Sequence, residues 1–282
     1  MSKWPLDQYD VNGFAVIEDF LTEEEANELH EAGLELCKNA PENDRAVFNT
    51  ENKSSHLKDK YFLNSANKIH YFYENGALDD QGNLLVNKSV SLNKVGHALH
   101  ALNPTFKKYT FDERVKNIAK QLGFKKPTIP QSMFIYKNPK IGGEVKPHQD
   151  ATYLHTEPIS ITGFWIPTED ATLENGCLWF IKGSHKHGLD NRLIRNPVRN
   201  SDEFLVYDKP SPAYSQDLFV AAPVKKGSLV VIHGLVVHQS ELNRSEKSRF
   251  AYTFHVMETD NVKYSPENWL QLPKGEHFPE LY

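Results

Sequence analysis

Between Lys126 and Glu258 the chain is cut into short β-branched and aromatic segments: "IPQSMFIYK", "SITGFWIP", "CLWFIKG", "GSLVVIHG", "VHQSEL" and "RFAYTFHVME". Gly, Pro, Asn or Asp separates them. Side chains of this kind suit a pleated, half-buried surface. Many short strands punctuated in this way predict an all-β sandwich or barrel rather than alternating βαβ units. No Gly-rich phosphate loop accompanies any segment, which disfavours nicotinamide and nucleoside-triphosphate chemistry.

The first third reads differently. Thr22 with Glu25 three residues on is a capping-box pattern, and Ala26, Leu29, Gly33, Leu36 and Cys37 then follow the helical period. "FDERVKNIAKQLG" repeats that period at Val115, Ile118, Ala119 and Leu122 and stops at Gly123. "GFAVIEDF" and "KIHYFYE" are strand candidates, a helical stretch is expected after Lys94, and Ala40 to about Lys60 reads as loop. Helices first and strands after give an α+β class. The expectation is one domain over 1–282, with mainly helical support and edge strands over 1–125, a β core over 126–260 and a tail over 261–282.

The formal charge of −5 argues against nucleic-acid binding, which normally shows a basic surplus. Apolar runs such as "GSLVVIHGLVV" fall short of the roughly 18 residues of a membrane span. "MSKWPLDQYD" carries no apolar signal segment and "PELY" no peroxisomal tripeptide, so a cytoplasmic location is expected. Cys37 and Cys177 are too few for a disulfide framework and read as buried apolar residues. A monomer is expected.

Within "KPHQDATYL", His148 and Asp150 stand two apart, a spacing that puts both side chains on one face of a strand. Imidazole and carboxylate are both ligands for a divalent first-row metal. The competing reading is a turn in which Asp150 accepts backbone hydrogen bonds. "VVHQSELNRSEKSRFAYTF" offers a third ligand in His238, with Ser240 on the same face. Eleven residues after His238 comes Arg249, which alternates with Phe250, Tyr252 and Phe254 and so opens the non-aromatic face of its strand. A planar guanidinium on such a wall suits a carboxylate held at two points; a surface pair with Glu241 is the alternative. His185 and His187 in "GSHKHG" read as a turn, and His97 and His100 as packing.

Taken together, His148-Gln149-Asp150, His238, Ser240 and Arg249, with "GCLWFIKGSHK" between them, resemble the Fe(II)/2-oxoglutarate dioxygenases of the phytanoyl-CoA dioxygenase family. The similarity runs from "GFAVIEDFLTEEE" through "HQDATYLHTEP" and "GSLVVIHGLVVHQS" to "SPENWLQLP". The resemblance implies a double-stranded β-helix, or jelly-roll, buttressed by the N-terminal helices. It implies Fe(II) on His148, Asp150 and His238, and 2-oxoglutarate with its far carboxylate on Arg249 and Ser240. Lys94, Met133, Trp165 and Gln149 would surround that cosubstrate. With O2 as oxidant, the implied reaction hydroxylates a small-molecule or lipid-like substrate and releases succinate and CO2. Asp150 favours hydroxylation, since halogenating relatives carry a small residue there. Phytanoyl-CoA itself is not carried over, because "PVKKG" and "NRLIRNPVRN" are only modest candidates for binding CoA phosphates. The insertion over 189–217 is long enough for a lid. A non-catalytic ligand-binding jelly-roll and a zinc hydrolase are the other readings.

Overall fold

A computed structural model describes residues 4–41, 45–47, 60–198 and 200–282. Most of the loop expected between Ala40 and Lys60 lies outside the described residues. The larger sheet has eight strands. From one edge to the other they are β1 (Phe14–Ile17), β13 (Leu229–His233), β8 (Thr162–Pro167), β15 (Arg249–Glu258), β5 (Pro127–Lys137), β4 (Leu92–His97), β3 (Ile69–Tyr73) and β2 (Ala46–Val47). The pairing of β2 with β3 is parallel and the other pairings are antiparallel, so the sheet is mixed. A second sheet runs β12 (Phe219–Ala222), β9 (Leu178–Ile181), β14 (His238–Ser240), β6 (Val145–His148). Two short pairs complete the strands: β10 (Leu193–Arg195) with β11 (Leu205–Tyr207), and β7 (Thr156–Glu157) with β16 (Lys263–Tyr264).

The larger sheet is buried on both faces by different partners. On one face Phe134, Tyr136, Phe250, Tyr252 and Phe254 join a core with helices α2 (Glu23–Lys38), α5 (Pro104–Thr110) and α6 (Glu113–Gln121). Shorter helices α1 (Asp7–Asn12), α3 (Lys60–Leu63) and α4 (Leu99–Leu102) flank them. On the other face Trp165, Val230, Ile232 and Ala251 pack with Leu178, Phe180 and Ala222 of the smaller sheet. The alternation of aromatic and small residues along 249–254 thus divides β15 between a helix-packed side and a side facing the second sheet.

The expected helix signals are present. Thr22 caps α2 through its side chain on the Glu25 amide, and Glu25 reaches back to the Thr22 amide. Asp112 caps α6, and Gly123 follows it with φ of 86°. The helical stretch expected after Lys94 begins only at Leu99, because Lys94 lies inside β4, paired with Ile135.

Gly33 is where α2 meets the sheet. A Cβ there would lie 2.1 Å from the Phe134 ring, and the Gly33 carbonyl accepts from the Tyr136 hydroxyl at 2.6 Å. Gly33→Ala should therefore lower stability by about 1–3 kcal/mol through overpacking, although alanine is the better helix former. Urea unfolding measures this; an unchanged midpoint would show that α2 is not pressed against β5.

Candidate metal centre

Between the two sheets lies a cavity of about 240 Å³. The smaller sheet brings His148 at the end of β6 and His238 at the start of β14, directly opposite one another, with ring centroids 4.2 Å apart. Their shared strand pairing, absent from any local pattern, is what makes two remote histidines neighbours. His148 Nδ1 contacts the Lys146 carbonyl at 2.9 Å and His238 Nδ1 the Val236 carbonyl at 3.0 Å. A carbonyl only accepts, so Nδ1 carries the hydrogen in both rings and each Nε2 presents a lone pair.

Both lone pairs face one oxygen. Asp150 Oδ1 lies 3.7 Å from His148 Nε2 and 3.6 Å from His238 Nε2. These gaps are ones that metal–ligand bonds of about 2.1 Å can bridge. The three ligand atoms all fall within 4.8 Å of one another. Burial pushes the His148 imidazole down to about 4, with the neighbouring His238 adding to the shift, so it is neutral and able to ligate at pH 7. Burial alone would raise Asp150, but the surrounding His255, His238 and His148 outweigh it and hold the carboxyl below its ordinary range. Two imidazoles offering Nε2 and an ionised carboxylate on one side of a cavity form a ligand set for divalent iron and its neighbours.

The route to this convergence differs from the expected one. The strand stops at His148 and Asp150 opens a 3-10 turn over Asp150–Thr152, so the two are not residues i and i+2 of one strand. Gln149 is turned out of the cavity. Its Nε2 donates to the Gly188 and Leu235 carbonyls, both at 2.8 Å, and its Oε1 accepts from the Asp190 amide at 2.9 Å. These three bonds anchor the ligand-bearing turn.

His255 was missed by the sequence reading. Its Nε2 lies 3.2 Å from Asp150 Oδ2, the oxygen turned away from the two ligand imidazoles. The signal was available, since His255 continues the Arg249, Ala251, Thr253 alternation. Its cross-strand partner is Gly163, where a Cβ would lie 2.9 Å from Asp150 Oδ2. Gly163→Ala should displace Asp150 and weaken divalent-metal binding by roughly 10–100-fold, as disturbed outer contacts of metal ligands do. Metal titration of the purified variant measures this, and wild-type affinity would refute the close approach.

The larger sheet supplies a cationic wall. Arg249 is 1% exposed and sits over the Trp165 ring, 5.3 Å from its centroid. Its Nη2 reaches Ser240 Oγ at 3.4 Å, while Nε and Nη1 have no hydrogen-bond partner among the described residues. The alternative partner Glu241 instead meets Arg244 at 3.6 Å. Burial lowers Arg249 to about 10, which still leaves it charged at pH 7. A buried guanidinium without a carboxylate is costly, so the arrangement fits an incoming planar anion. Lys94, Met133 and Trp165 also line the cavity. Lys94 Nζ stands 5.7 Å from the centroids of both Phe62 and Phe72, and burial lowers it to about 7.

Apolar and aromatic side chains also line the cavity. Leu193 and Tyr207 come from the paired strands β10 and β11 of the 189–217 insertion, and Trp269 from the C-terminal segment. Among the described residues no helix is long and apolar enough to cross a membrane.

The chain matches the phytanoyl-CoA dioxygenase family over residues 9–251. It is 45% identical over 285 residues to the phytanoyl-CoA dioxygenase domain-containing protein 1 homolog of Caenorhabditis elegans, covering 99% of each chain. It is 46% identical over 269 residues to a phytanoyl-CoA dioxygenase of Arabidopsis thaliana, covering 95% of this chain and 93% of the relative. Among solved structures, the epimerase SnoN from nogalamycin biosynthesis, in complex with Fe3+, alpha ketoglutarate and nogalamycin RO, has a TM-score of 0.64 at 16% identity, covering 98% of this chain and 96% of that one. EctD from S. alaskensis, with 2-oxoglutarate and 5-hydroxyectoine, has a TM-score of 0.60 at 19% identity, covering 92% and 80%. The structural likenesses speak to fold, and the sequence relatives to ancestry along nearly the whole length: this chain belongs to the phytanoyl-CoA dioxygenase family.

Proposed function

We propose that the protein is an Fe(II)- and 2-oxoglutarate-dependent dioxygenase that hydroxylates a small-molecule or lipid-like substrate, built on a double-stranded β-helix. The observation that carries this reading is the pairing of two features in one cavity. One is a His148–Asp150–His238 set whose lone pairs converge, and the other is a buried Arg249 fork with two unpartnered nitrogens. A hydrolytic zinc site would account for the first and leave the second without a purpose.

His148, Asp150 and His238 would hold Fe(II), and Arg249 with Ser240 would hold the far carboxylate of 2-oxoglutarate. When bound, the metal and cosubstrate supply the activation of O2, with release of CO2 and succinate and transfer of oxygen to a C–H bond. The residues of this chain do the rest. The Nδ1 hydrogen bonds of His148 and His238 fix which nitrogen is offered for ligation. His255 holds one Asp150 oxygen and leaves the other toward the imidazoles. Trp165 walls the guanidinium off from water, which strengthens its hold on an anion. Lys94 and Met133 stand at the same wall and would flank the cosubstrate.

The direct test is release of CO2 and succinate from 2-oxoglutarate, with Fe(II), with Zn(II) and without added metal. Turnover only with Fe(II) is expected. Equal rates in all three arms, or none in any, would refute the reading.

A further inference from the structure

Two buried imidazoles that line the cavity each carry a ring nitrogen that the dioxygenase reading does not use. His97 is 0% and His255 5% exposed, and both line the cavity. His97 ends β4, where it pairs with Ser132, while His255 pairs with Gln131, the preceding residue of β5. The register therefore brings both to the same end of β5.

The hydrogen bonds around them settle which nitrogens are bare. Ser65 Oγ donates to the Phe62 carbonyl at 2.6 Å, so it accepts from His97 Nδ1, 2.7 Å away. His97 Nε2 is then a lone pair, and it has no hydrogen-bond partner among the described residues. His255 Nε2 lies 3.2 Å from Asp150 Oδ2, and an ionised carboxylate only accepts. In that tautomer His255 Nδ1 is also a lone pair, and it too has no hydrogen-bond partner among the described residues. A buried acceptor left unmatched carries its full desolvation penalty, whereas one that a ligand satisfies does not.

The surroundings narrow what can donate. Phe62, Phe72 and Trp269 surround the His97 ring, with centroids 5.7, 5.5 and 5.1 Å away. An anion would face two lone pairs. An ammonium would meet Lys94, which stands over two of the same aromatic rings. What remains is an uncharged O–H or N–H on an apolar body. We propose that His97 Nε2 and His255 Nδ1 are the substrate-recognition acceptors of this cavity, and that the substrate is a neutral, largely apolar molecule bearing a hydroxyl or amide N–H donor. The inference rests on the dioxygenase reading and adds the substrate class to it.

The test uses the full chain loaded anaerobically with Fe(II) and 2-oxoglutarate, and three probes that share one body: 3-phenylpropan-1-ol, its methyl ether and 3-phenylpropanoate. Binding is read by ligand-observed NMR, and cosubstrate binding by calorimetry in parallel. The alcohol should bind about tenfold more tightly than either analogue, the difference one such hydrogen bond supplies. His97→Phe should abolish that preference and leave 2-oxoglutarate affinity unchanged, while His97→Asn, which keeps an acceptor, should retain part of it. The wild-type comparison stands even where a variant fails to fold. Equal binding of alcohol and ether, tighter binding of the carboxylate, or binding of none of the three would overturn the inference while 2-oxoglutarate still binds. Failure of 2-oxoglutarate to bind would instead remove the parent reading, and this one with it.

Discussion

Arg249→Leu should weaken 2-oxoglutarate binding by roughly 10²–10⁴-fold, since breaking a buried, hydrogen-bonded ion pair costs about 3–5 kcal/mol. The residue is 1% exposed, and its Nε and Nη1 have no hydrogen-bond partner among the described residues. The same substitution should act in the opposite direction on the ligand-free protein. There the guanidinium is a desolvated charge, its pKa lowered to about 10 by burial and only partly restored by Cys177 and Glu169. A leucine that fills the space beside Trp165 removes that penalty, so the melting temperature without ligand should rise. Arg249→Lys keeps the charge but loses the fork, and intermediate affinity is expected. Calorimetric titration of 2-oxoglutarate and thermal unfolding without it measure the two effects. Unchanged affinity in the leucine variant would place the cosubstrate elsewhere.

The second large effect belongs to Asp150. Asp150→Ala should lower Fe(II) affinity by at least about 100-fold, beyond what loss of an outer contact costs, and bring iron-dependent turnover of 2-oxoglutarate to background. Its carboxylate is the one acidic group within reach of both ligand imidazoles, at 3.7 and 3.6 Å, among the described residues. Alanine also strands His255 Nε2, which loses its acceptor at 3.2 Å, at a cost of about 1–3 kcal/mol. Asp150→Asn separates the two consequences. Its amide oxygen can still accept from His255 and should recover stability, while the lost charge should leave the iron site impaired. Equilibrium dialysis against Fe(II) and urea unfolding together distinguish them. An alanine variant that still binds Fe(II) like the wild type would take Asp150 out of the metal site.

Much of the site was legible because its residues sit on strands whose alternation is local. Arg249, Ala251 and Thr253 were readable as one face from the aromatic residues between them, and that face does turn to the cavity. His255 obeys the same alternation, and a reading continued two residues farther would have met it. Lys94 was assigned to a helix start because a helical stretch does follow it. Its pairing with Ile135, 41 positions away, makes it a strand residue, and no local window contains that partner. The direction of Gln149 is not legible locally, because it depends on where β6 stops. The strand ends at His148, and the amide then turns to the carbonyls of Gly188 and Leu235, far away in sequence.

By itself, the sequence determined many of the strand and helix segments, where α2 and α6 are capped, and which residue types are available for a metal and an anion. Those follow from side-chain period and backbone chemistry, which act over a few residues. Only the tertiary structure decided that His148 faces His238 across two paired strands, and that Asp150 reaches both from a turn. It alone left Arg249 without a carboxylate and brought His97 and His255 to one end of β5. Such juxtapositions depend on pairing register between distant strands and on which polar groups burial leaves unmatched, and both are properties of the whole packed chain.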